Sequence, residues 1–391
     1  MSSRMASSRL PVTVITGFLG AGKTTLMREL LLNSGQRLAV LVNEFGEVGI
    51  DGELLRSCGF CPEDELDGRL VELANGCLCC TVQDDFLPTM TTLLERSDDL
   101  DGIIVETSGL ALPLPLVEAF QWPEIRSRTR VNGVVTVVDG EALAGGHVVA
   151  DLQALEAQRQ ADPSLDHLDD IEGLFNDQLQ AADLVLISRA DRLEAGALES
   201  VRQELQQQLR PGTVLLAMER GQIEPAVVLG LDGPKATDES ADTAASHGHE
   251  HSHEHGHGHG HEHSHEHEHE HSHGGTGNDD HAHHDHHHVP MQSVALRLEG
   301  HYNRTRLEHA LAEQIRSQVL IRVKGQLQQP DRAHPLQIQA VGPRLECWYE
   351  RQQRATQGQS STAAAGLQLV ALGLQVNAQE LEAALATALE P

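Results

Sequence analysis

A glycine-rich segment near the start of the sequence has the residue types and spacing of a phosphate-binding loop. It reads GFLGAGKT over residues 17–24 and lies between a Val- and Ile-rich run and a helical apolar pattern. Glycines let backbone N–H groups close around phosphate oxygens at a helix N-terminus, where the helix dipole favours anions. The pattern and its context therefore predict a P-loop rather than a chance glycine-rich turn.

The residues of this loop have distinct expected roles in nucleoside triphosphate hydrolysis. Lys23 is expected to reach the β and γ phosphates, and the Thr24 hydroxyl is expected to bind Mg²⁺. Glu106, which ends the run GIIVE, is predicted to hold Mg²⁺ through water, although an ordinary strand-end carboxylate fits the same position. Lys23, Thr24 and Glu106 form the predicted catalytic set. The predicted phosphate-binding residues are Gly17, Gly20, Ala21, Gly22, Lys23, Thr24 and Thr25.

A later strand-like run, LVLIS, leads into the candidate base-recognition residues Ser188 and Asp191. A carboxylate at Asp191 can accept hydrogen bonds from both N1–H and the 2-amino group of guanine, which adenine does not offer. The common form of this motif is Asn-Lys-x-Asp, whereas here Ser188 replaces the Asn and Arg189 replaces the Lys. The motif favours GTP, with ATP or relaxed specificity as the alternative.

Three cysteines, Cys77, Cys79 and Cys80, fall within four positions after the run LVELA. Residues two apart in an extended segment project to one side, and a turn can bring in the third thiolate. Converging thiolates suit tetrahedral Zn²⁺ or Co²⁺ and exclude hard ions such as Mg²⁺. The alternative is that these cysteines only pack in a core. A second pair, Cys58 and Cys61, is a redox couple, an extra ligand pair or, as we expect, plain loop sequence.

Acidic residues follow the second strand-like run, where a P-loop GTPase has its first switch. Glu44, Glu47 and Asp51 can contact Mg²⁺ or the second metal, and Glu44 is included among the predicted metal ligands. If nucleotide orders this segment beside Cys79, metal affinity becomes coupled to the nucleotide state. That coupling is a hypothesis based on where the acidic residues fall.

A histidine-rich stretch runs from His247 to His288 and contains 20 of the 25 histidines. Neutral imidazoles at this density bind Zn²⁺, Ni²⁺ and Co²⁺ weakly but many at a time. We interpret the stretch as a metal buffer rather than the specific site, and the alternative is a solvated spacer.

The composition limits the partners and the compartment. With 58 acidic and 28 basic residues the formal charge is −30, which argues against nucleic acid and anionic membranes as partners. No apolar run approaches the roughly 18 residues of a membrane span, and no signal peptide is recognised. Six cysteines that include this cluster indicate reduced thiols, so a cytoplasmic location is expected.

Seven strand-like runs alternate with helical stretches between Leu10 and Ala217. This rhythm predicts an α/β fold with a doubly wound, mostly parallel P-loop sheet. We assign residues 8–232 to this domain, 233–289 to a disordered His-rich linker and 290–391 to a smaller α+β domain. The last of these is expected to contain a helix over Thr305–Gln318 and a long strand candidate, LQIQAVGPRLECWYE.

The motifs taken together resemble the CobW family of metal-associated GTPases. The segments that match are the P-loop, VNEFGEVGIDGELLRSCG, LVELANGCLCCTVQDDFLPTM, VETSGLALPLPLV and the His-rich stretch. The resemblance implies a GTP-dependent metallochaperone with Cys77, Cys79 and Cys80 as its metal motif. In the cobalamin branch it also implies Co²⁺ delivery to a client, a cobaltochelatase subunit, whereas relatives that handle zinc share the same cysteines.

Two rival functions remain open at the level of sequence. One is a metal-storage protein in which the His-rich stretch dominates, and the other is a small-molecule or nucleotide kinase that uses the same P-loop. The oligomeric state is unknown.

Overall fold

The structure is a computed structural model, which describes residues 9–42, 70–72, 86–161, 171–230, 291–330, 332, 334–349 and 365–390. Among these residues, no helix combines the length and the apolar character that crossing a membrane requires.

Seven strands of the described residues form one parallel sheet, in the order β3-β2-β4-β1-β5-β6-β7. Each corresponds to one of the seven strand-like runs, so the predicted α/β fold with a doubly wound parallel sheet is confirmed. The strands are β1 Leu10–Thr16, β2 Leu38–Val42, β3 Leu70–Glu72, β4 Gly102–Glu106, β5 Thr129–Asp139, β6 Leu184–Ser188 and β7 Val214–Ala217.

Helices cover both faces of this sheet, which is why its strands are near-continuous Val, Ile and Leu runs. They are α1 Lys23–Asn33, α2 Leu87–Glu95, α3 Pro113–Ala119, α4 Pro123–Arg126, α5 Gly140–Ala144, α6 Leu152–Ala161, α7 Ile171–Ala181, α8 Ala195–Gln208 and α9 Pro225–Leu229. On one face, α1 and α9 pack against alternate residues of the strands. On the other face, α2 and α3 cover one half and α7 and α8 the other. Because the strands are parallel, their carboxyl ends lie along one edge of the sheet.

A second, antiparallel sheet has the strand order β11-β10-β9-β12-β8. Its elements are β8 Gln292–Glu299, α10 Arg304–Ser317, β9 Leu320–Gln328, β10 Leu336–Val341, β11 Arg344–Tyr349, β12 Gly366–Gly373 and α11 Ala378–Ala386. Helices α10 and α11 pack on one face of it. The predicted helix agrees with α10 to within one residue at each end.

The predicted long strand LQIQAVGPRLECWYE is wrong as a single element, because it folds back as the β10–β11 hairpin. Gly342 and Pro343 form the two-residue turn between Val341 and Arg344. Gly342 has a φ of 45°, and a Cβ there would lie 2.2 Å from the Asp183 carbonyl oxygen. Gly342 therefore permits a close approach of this turn to the backbone of the first sheet, which a side chain at this position would prevent.

Arg322 of β9 joins the two sheets, which belong to one compact unit. Its side chain is buried and donates hydrogen bonds to the carbonyl oxygens of Val227 at 2.8 Å, Asn132 at 2.9 Å and Val228. Burial lowers the pKa of this guanidinium from 12.5 to about 9, because the charged form loses hydration. A second link is the Arg344 guanidinium, whose Nε lies 2.6 Å from the Asp183 carboxylate.

Candidate functional site

The loop between β1 and α1 has backbone angles that require its glycines. Gly17, Gly20 and Gly22 have φ values of 134°, 75° and 104°, which side chains rarely permit. A Cβ on Gly17 would lie 2.1 Å from the Val137 carbonyl oxygen, so the loop presses directly on β5. Ala21 is buried, and its N–H donates to the Phe18 carbonyl at 3.2 Å. The GFLGAGKT segment is thus a tight turn at the carboxyl end of the sheet.

Helix α1 begins with Lys23 and has features that suit an anion at its N-terminus. Its N-cap, Gly22, provides no side-chain hydrogen bond to the first turn, and that turn contains no acidic residue. The first N–H groups of a helix have no intrahelical acceptor and the helix dipole is positive there, so phosphate oxygens fit this position. Thr24 is half-buried in the first turn, whereas Thr25 is exposed.

Lys23 and Glu106 meet beneath this loop. The Lys23 side chain is buried, its Nζ lies 3.8 Å from Oε1 of Glu106, and it donates to the Phe18 carbonyl at 3.3 Å. Glu106 ends β4, next to β1, with Ile15 as its partner in register. The structure therefore brings together the predicted phosphate-binding lysine and the predicted Mg²⁺ carboxylate.

The turn after β4 contains residues that our sequence reasoning did not assign to the site. Thr107 donates from its hydroxyl to Thr16 Oγ1 at 2.8 Å and from its N–H to the Ile15 carbonyl at 2.9 Å. The Ser108 hydroxyl is buried and has no hydrogen-bond partner within the described part of the chain. Buried hydroxyls normally form a hydrogen bond, so the Ser108 hydroxyl is free to bond to a bound ligand or water molecule. The signal in the sequence is the Thr-Ser-Gly triplet directly after Glu106.

Ser188 and Asp191 lie on the neighbouring loop, after β6. The Ser188 hydroxyl donates to the Val138 carbonyl at 3.1 Å, and its Cβ lies 3.5 Å from a Cβ built on Gly22. Ser188 therefore packs under the P-loop with its hydroxyl bonded inside the sheet. Asp191 sits in a short 3-10 turn, Ala190–Arg192, with its Oδ2 3.9 Å from Nε of Arg220.

Arg189 connects the loop after β6, the candidate base-recognition loop, to the P-loop, a contact that the sequence did not indicate. Its guanidinium contacts the Asp139 carboxylate and donates to the Gly20 carbonyl at 3.0 Å. Asp139 is buried at the end of β5 and also accepts hydrogen bonds from the N–H groups of Glu141 at 3.0 Å and Ala142 at 3.2 Å. Its position at the end of the run NGVVTVVD is the signal that could have identified it.

The predicted ligands of the transition metal lie outside the described residues. This applies to Cys77, Cys79 and Cys80, to Glu44, to Cys58 and Cys61, and to the His-rich stretch. Within the described ranges, no group of three or more His, Cys, Asp or Glu side chains has the arrangement of a metal site. The structure does describe the last residues of the strands that precede Glu44 and the cysteine cluster. Val42, at the end of β2, pairs with Glu106 of β4 and with Glu72 of β3.

Comparison with known proteins identifies the family. Residues 11–216 match the family described as CobW/HypB/UreG, nucleotide-binding domain, and residues 291–389 match the cobalamin synthesis protein cobW C-terminal domain. A protein named zinc chaperone CobW from Pseudomonas aeruginosa is 54% identical over 227 residues, which are 58% of this chain and 60% of that protein. One of the same name from Sinorhizobium sp is 49% identical over 233 residues, 59% of this chain and 65% of that protein.

A more distant relative is the zinc-regulated GTPase metalloprotein activator 1 of Schizosaccharomyces pombe, which is 34% identical over 50% of this chain and 43% of its own length. The matched region thus spans less than two thirds of each of these three relatives. The first family match extends over more than half of the chain and includes the P-loop, Glu106 and Asp191. This protein therefore belongs to the CobW/HypB/UreG family, as the resemblance of its motifs predicted.

Proposed function

We propose that this protein is a GTP-hydrolysing metallochaperone whose nucleotide state sets the metal affinity of Cys77, Cys79 and Cys80, and which passes the metal to a client protein. The observation that carries the proposal is the buried Lys23 ammonium group, 3.8 Å from the Glu106 carboxylate beneath the P-loop. A lysine is rarely buried without a functional or structural partner. Lys23 also begins a helix whose first N–H groups have no side-chain cap, so its charge and these N–H groups could bind a triphosphate together.

The residues at this edge suit phosphoryl transfer to water. Lys23 would bind the β and γ phosphates, and the N–H groups of the loop would hold their oxygens. Thr24 and Glu106 are the residues that would hold Mg²⁺, which would neutralise charge on the phosphates there. The buried Ser108 hydroxyl lies in the turn after Glu106, where it can orient a water molecule.

The strand order supports a coupling between nucleotide and metal. Adjacent strands of a sheet lie about 4.8 Å apart, so the ends of β3 and β4, separated by β2, are on the order of 10 Å apart. Cys77 follows Glu72 by five residues, a chain length of at most about 18 Å. The predicted thiolate cluster is therefore within reach of the Mg²⁺ and phosphate site. We propose that GTP strengthens metal binding there and that hydrolysis weakens it.

Zinc is the metal that appears in the names of the relatives. Two of them are named zinc chaperones and a third is named a zinc-regulated GTPase metalloprotein activator. Thiolate ligands accept Zn²⁺ and Co²⁺ alike, so the chemistry of the cysteines does not separate the two ions. We propose a client metalloenzyme that receives Zn²⁺. Delivery of Co²⁺ to a cobaltochelatase subunit is the alternative, and a competition titration with both ions distinguishes them.

Phosphate release from GTP in the absence of any acceptor tests the enzymatic half of the proposal. We expect slow but measurable release with Mg-GTP and at least about tenfold less with Mg-ATP, since Asp191 offers no favourable partner to adenine. Release that appears only when a small-molecule acceptor is added would instead indicate a kinase. Equal release from GTP and ATP would contradict guanine selection.

Deletion of residues 247–288 separates a chaperone from a storage protein. We expect the deleted protein to lose many weak metal-binding equivalents and to keep one tight site whose affinity depends on nucleotide. Loss of all measurable metal binding on this deletion would favour storage and would contradict the proposed function.

A further inference from the structure

Two arginines with strained backbones flank the candidate base-reading carboxylate, Asp191. Among the described residues other than glycine, only Arg189, Arg220 and Val319 have positive φ, at 54°, 50° and 49°. Such conformations cost about 1–3 kcal/mol each and concentrate at functional sites. Two of the three therefore lie next to the same carboxylate, one on each of the two loops beside it.

The loop that carries Arg220 has a fixed position. It connects β7 to α9, with the Gln222 N–H donating to the Glu219 carbonyl at 2.7 Å. Gly221, at a φ of +79°, is so close to α1 that a Cβ on it would lie 2.7 Å from Cγ2 of Thr25. The backbone of this loop is thus pressed against the first turn of the P-loop helix. The backbone of Arg220 is consequently held in a defined position beside the candidate nucleotide site.

The Arg220 side chain is 82% exposed, and its Nε lies 3.9 Å from Oδ2 of Asp191. An exposed ion pair of this kind contributes at most about 1 kcal/mol to stability. That contribution is too small to explain a strained arginine at this position. The Arg220 side chain instead lies where it and Asp191 could contact the same ligand.

A guanine base at Asp191 would need a donor for its O6 and N7 acceptors. The Asn that normally stands in the motif is replaced by Ser188, whose hydroxyl is already bonded to the Val138 carbonyl. The Arg189 guanidinium is likewise engaged, with Asp139 and the Gly20 carbonyl. Of the side chains just described on these two loops, the Arg220 guanidinium is the exposed donor group beside Asp191.

We propose that Arg220 determines base specificity by donating to O6 and N7 of guanine while Asp191 accepts from N1–H and the 2-amino group. The inference rests on the proposed function, because it assigns the base subsite of the same GTP pocket. On guanine, O6 is adjacent to N1, so a cation and a carboxylate side by side match the order of acceptors and donors. Bidentate contact of a guanidinium with O6 and N7 is a common way to recognise guanine. Adenine presents an amino group at the same place, which a guanidinium cannot bind.

Nucleoside diphosphates test this proposal without interference from hydrolysis. Equilibrium binding of GDP, ADP, IDP and 7-deaza-GDP to the full chain with Mg²⁺ would be measured for the wild type and for Arg220→Asn. Asn tolerates the left-handed backbone, so the substitution removes the guanidinium without added strain. We expect the wild type to bind 7-deaza-GDP about tenfold more weakly than GDP, because N7 is lost. Arg220→Asn should bind GDP about tenfold more weakly and should no longer distinguish it from 7-deaza-GDP.

Two further measurements distinguish the effect of Arg220 from the effects of its neighbours. IDP lacks the 2-amino group that Asp191 would bind, so its weaker binding relative to GDP should persist in Arg220→Asn. Arg192→Ala is the matched control, because Arg192 is an exposed neighbour that pairs with Glu141, and it should leave all four affinities unchanged.

Equal binding of GDP and 7-deaza-GDP by the wild type would overturn the assignment of Arg220, even if Arg220→Asn fails to fold. Unchanged affinities in a folded Arg220→Asn would do the same, and the proposed function would stand in both cases. If the wild type binds no guanine nucleotide at all, the proposed function fails together with this inference.

Discussion

Lys23 is one of the few cationic side chains buried in the described structure, and its ammonium group lies between the Phe18 carbonyl and the Glu106 carboxylate. These two oxygens hold the charged group beside the helix N-terminus, at the position predicted for phosphate. A preorganised charge of this kind stabilises a transition state without the cost of moving into position.

At the same scale, Lys23→Ala should reduce the rate of GTP hydrolysis by about 10²–10³-fold, the usual effect of removing one preorganised charged or hydrogen-bonding group. Phosphate release measured under saturating GTP provides the test. Lys324→Ala is the control, because Lys324 is exposed on β9, and it should retain wild-type turnover. A Lys23→Ala rate within a factor of two of the wild type would contradict the assigned role.

Cys347 gives a prediction from its environment in β11. Burial, and next the nearby Glu308 carboxylate, raise the pKa of this thiol to about 12. The thiolate is the reactive form, so alkylation by iodoacetamide at pH 8 should be about 1,000-fold slower in the folded protein than in urea. Mass spectrometry of labelled peptides would measure both rates. Labelling at equal rates would show that the thiol is not protected as described.

At the scale of elements, the unit β1, P-loop and α1 is set by the close approach of Gly17 to β5. The virtual Cβ of Gly17 lies 2.1 Å from a backbone oxygen, and backbone cannot move aside as a flexible side chain can. Gly35, after α1, also has a positive φ, 62°, but a Cβ there meets nothing within 4 Å. Both glycines therefore have left-handed backbone angles, but only Gly17 lacks room for a side chain.

Gly17→Ala should accordingly lower the free energy of unfolding by more than about 3 kcal/mol and abolish GDP binding, because the loop must leave β5. Gly35→Ala should cost only the backbone penalty, about 1–2 kcal/mol, and keep nucleotide binding. Urea denaturation and GDP titration would compare the pair. Equal losses of stability would mean that the contact with Val137 does not constrain the loop.

At the scale of the whole molecule, the second sheet is joined to the first through buried polar groups. Arg322 satisfies three carbonyl oxygens, two of them in α9, which follows the loop that carries Arg220. Gln339 adds a hydrogen bond to Asn132 at 3.0 Å. Residues 218–230, which include Arg220 and α9, therefore connect the loop beside Asp191 with the second sheet.

Arg322→Met should lower the free energy of unfolding by about 3–5 kcal/mol, since it leaves buried carbonyl oxygens without donors. Arg297→Met on the exposed part of β8 is the matched control and should change stability by less than about 0.5 kcal/mol. Denaturant titration with hydrogen exchange would also show increased exchange in β9 for the first variant. Stability equal to the control would contradict the role of Arg322 as the link between the sheets.

The parts of this structure that the sequence predicted are those in which local pattern determines the outcome. Buried parallel strands read as apolar runs, and the glycine spacing of residues 17–24 identifies the P-loop. The sequence contains a local signal for the β10–β11 turn, the dipeptide Gly342-Pro343, but the strand-like runs on both sides of it favoured a single long strand. Asp139 was missed although its place at the end of the run NGVVTVVD indicated it. Arg220 was missed because only the folded sheet brings the loop after β7 beside Asp191. The roles of the individual site residues stay predictions.

Control of metal affinity at the cysteine cluster by the bound nucleotide can be measured by a competition titration. Zn²⁺ and Co²⁺ would be titrated against a chromogenic chelator, with Mg²⁺ and either a non-hydrolysable GTP analogue or GDP, for the wild type and Cys79→Ala. We expect one site that binds Zn²⁺ at least about tenfold more tightly with the GTP analogue than with GDP, and we expect Cys79→Ala to abolish this difference. The same affinity in both nucleotide states, or a difference that persists in Cys79→Ala, would contradict it.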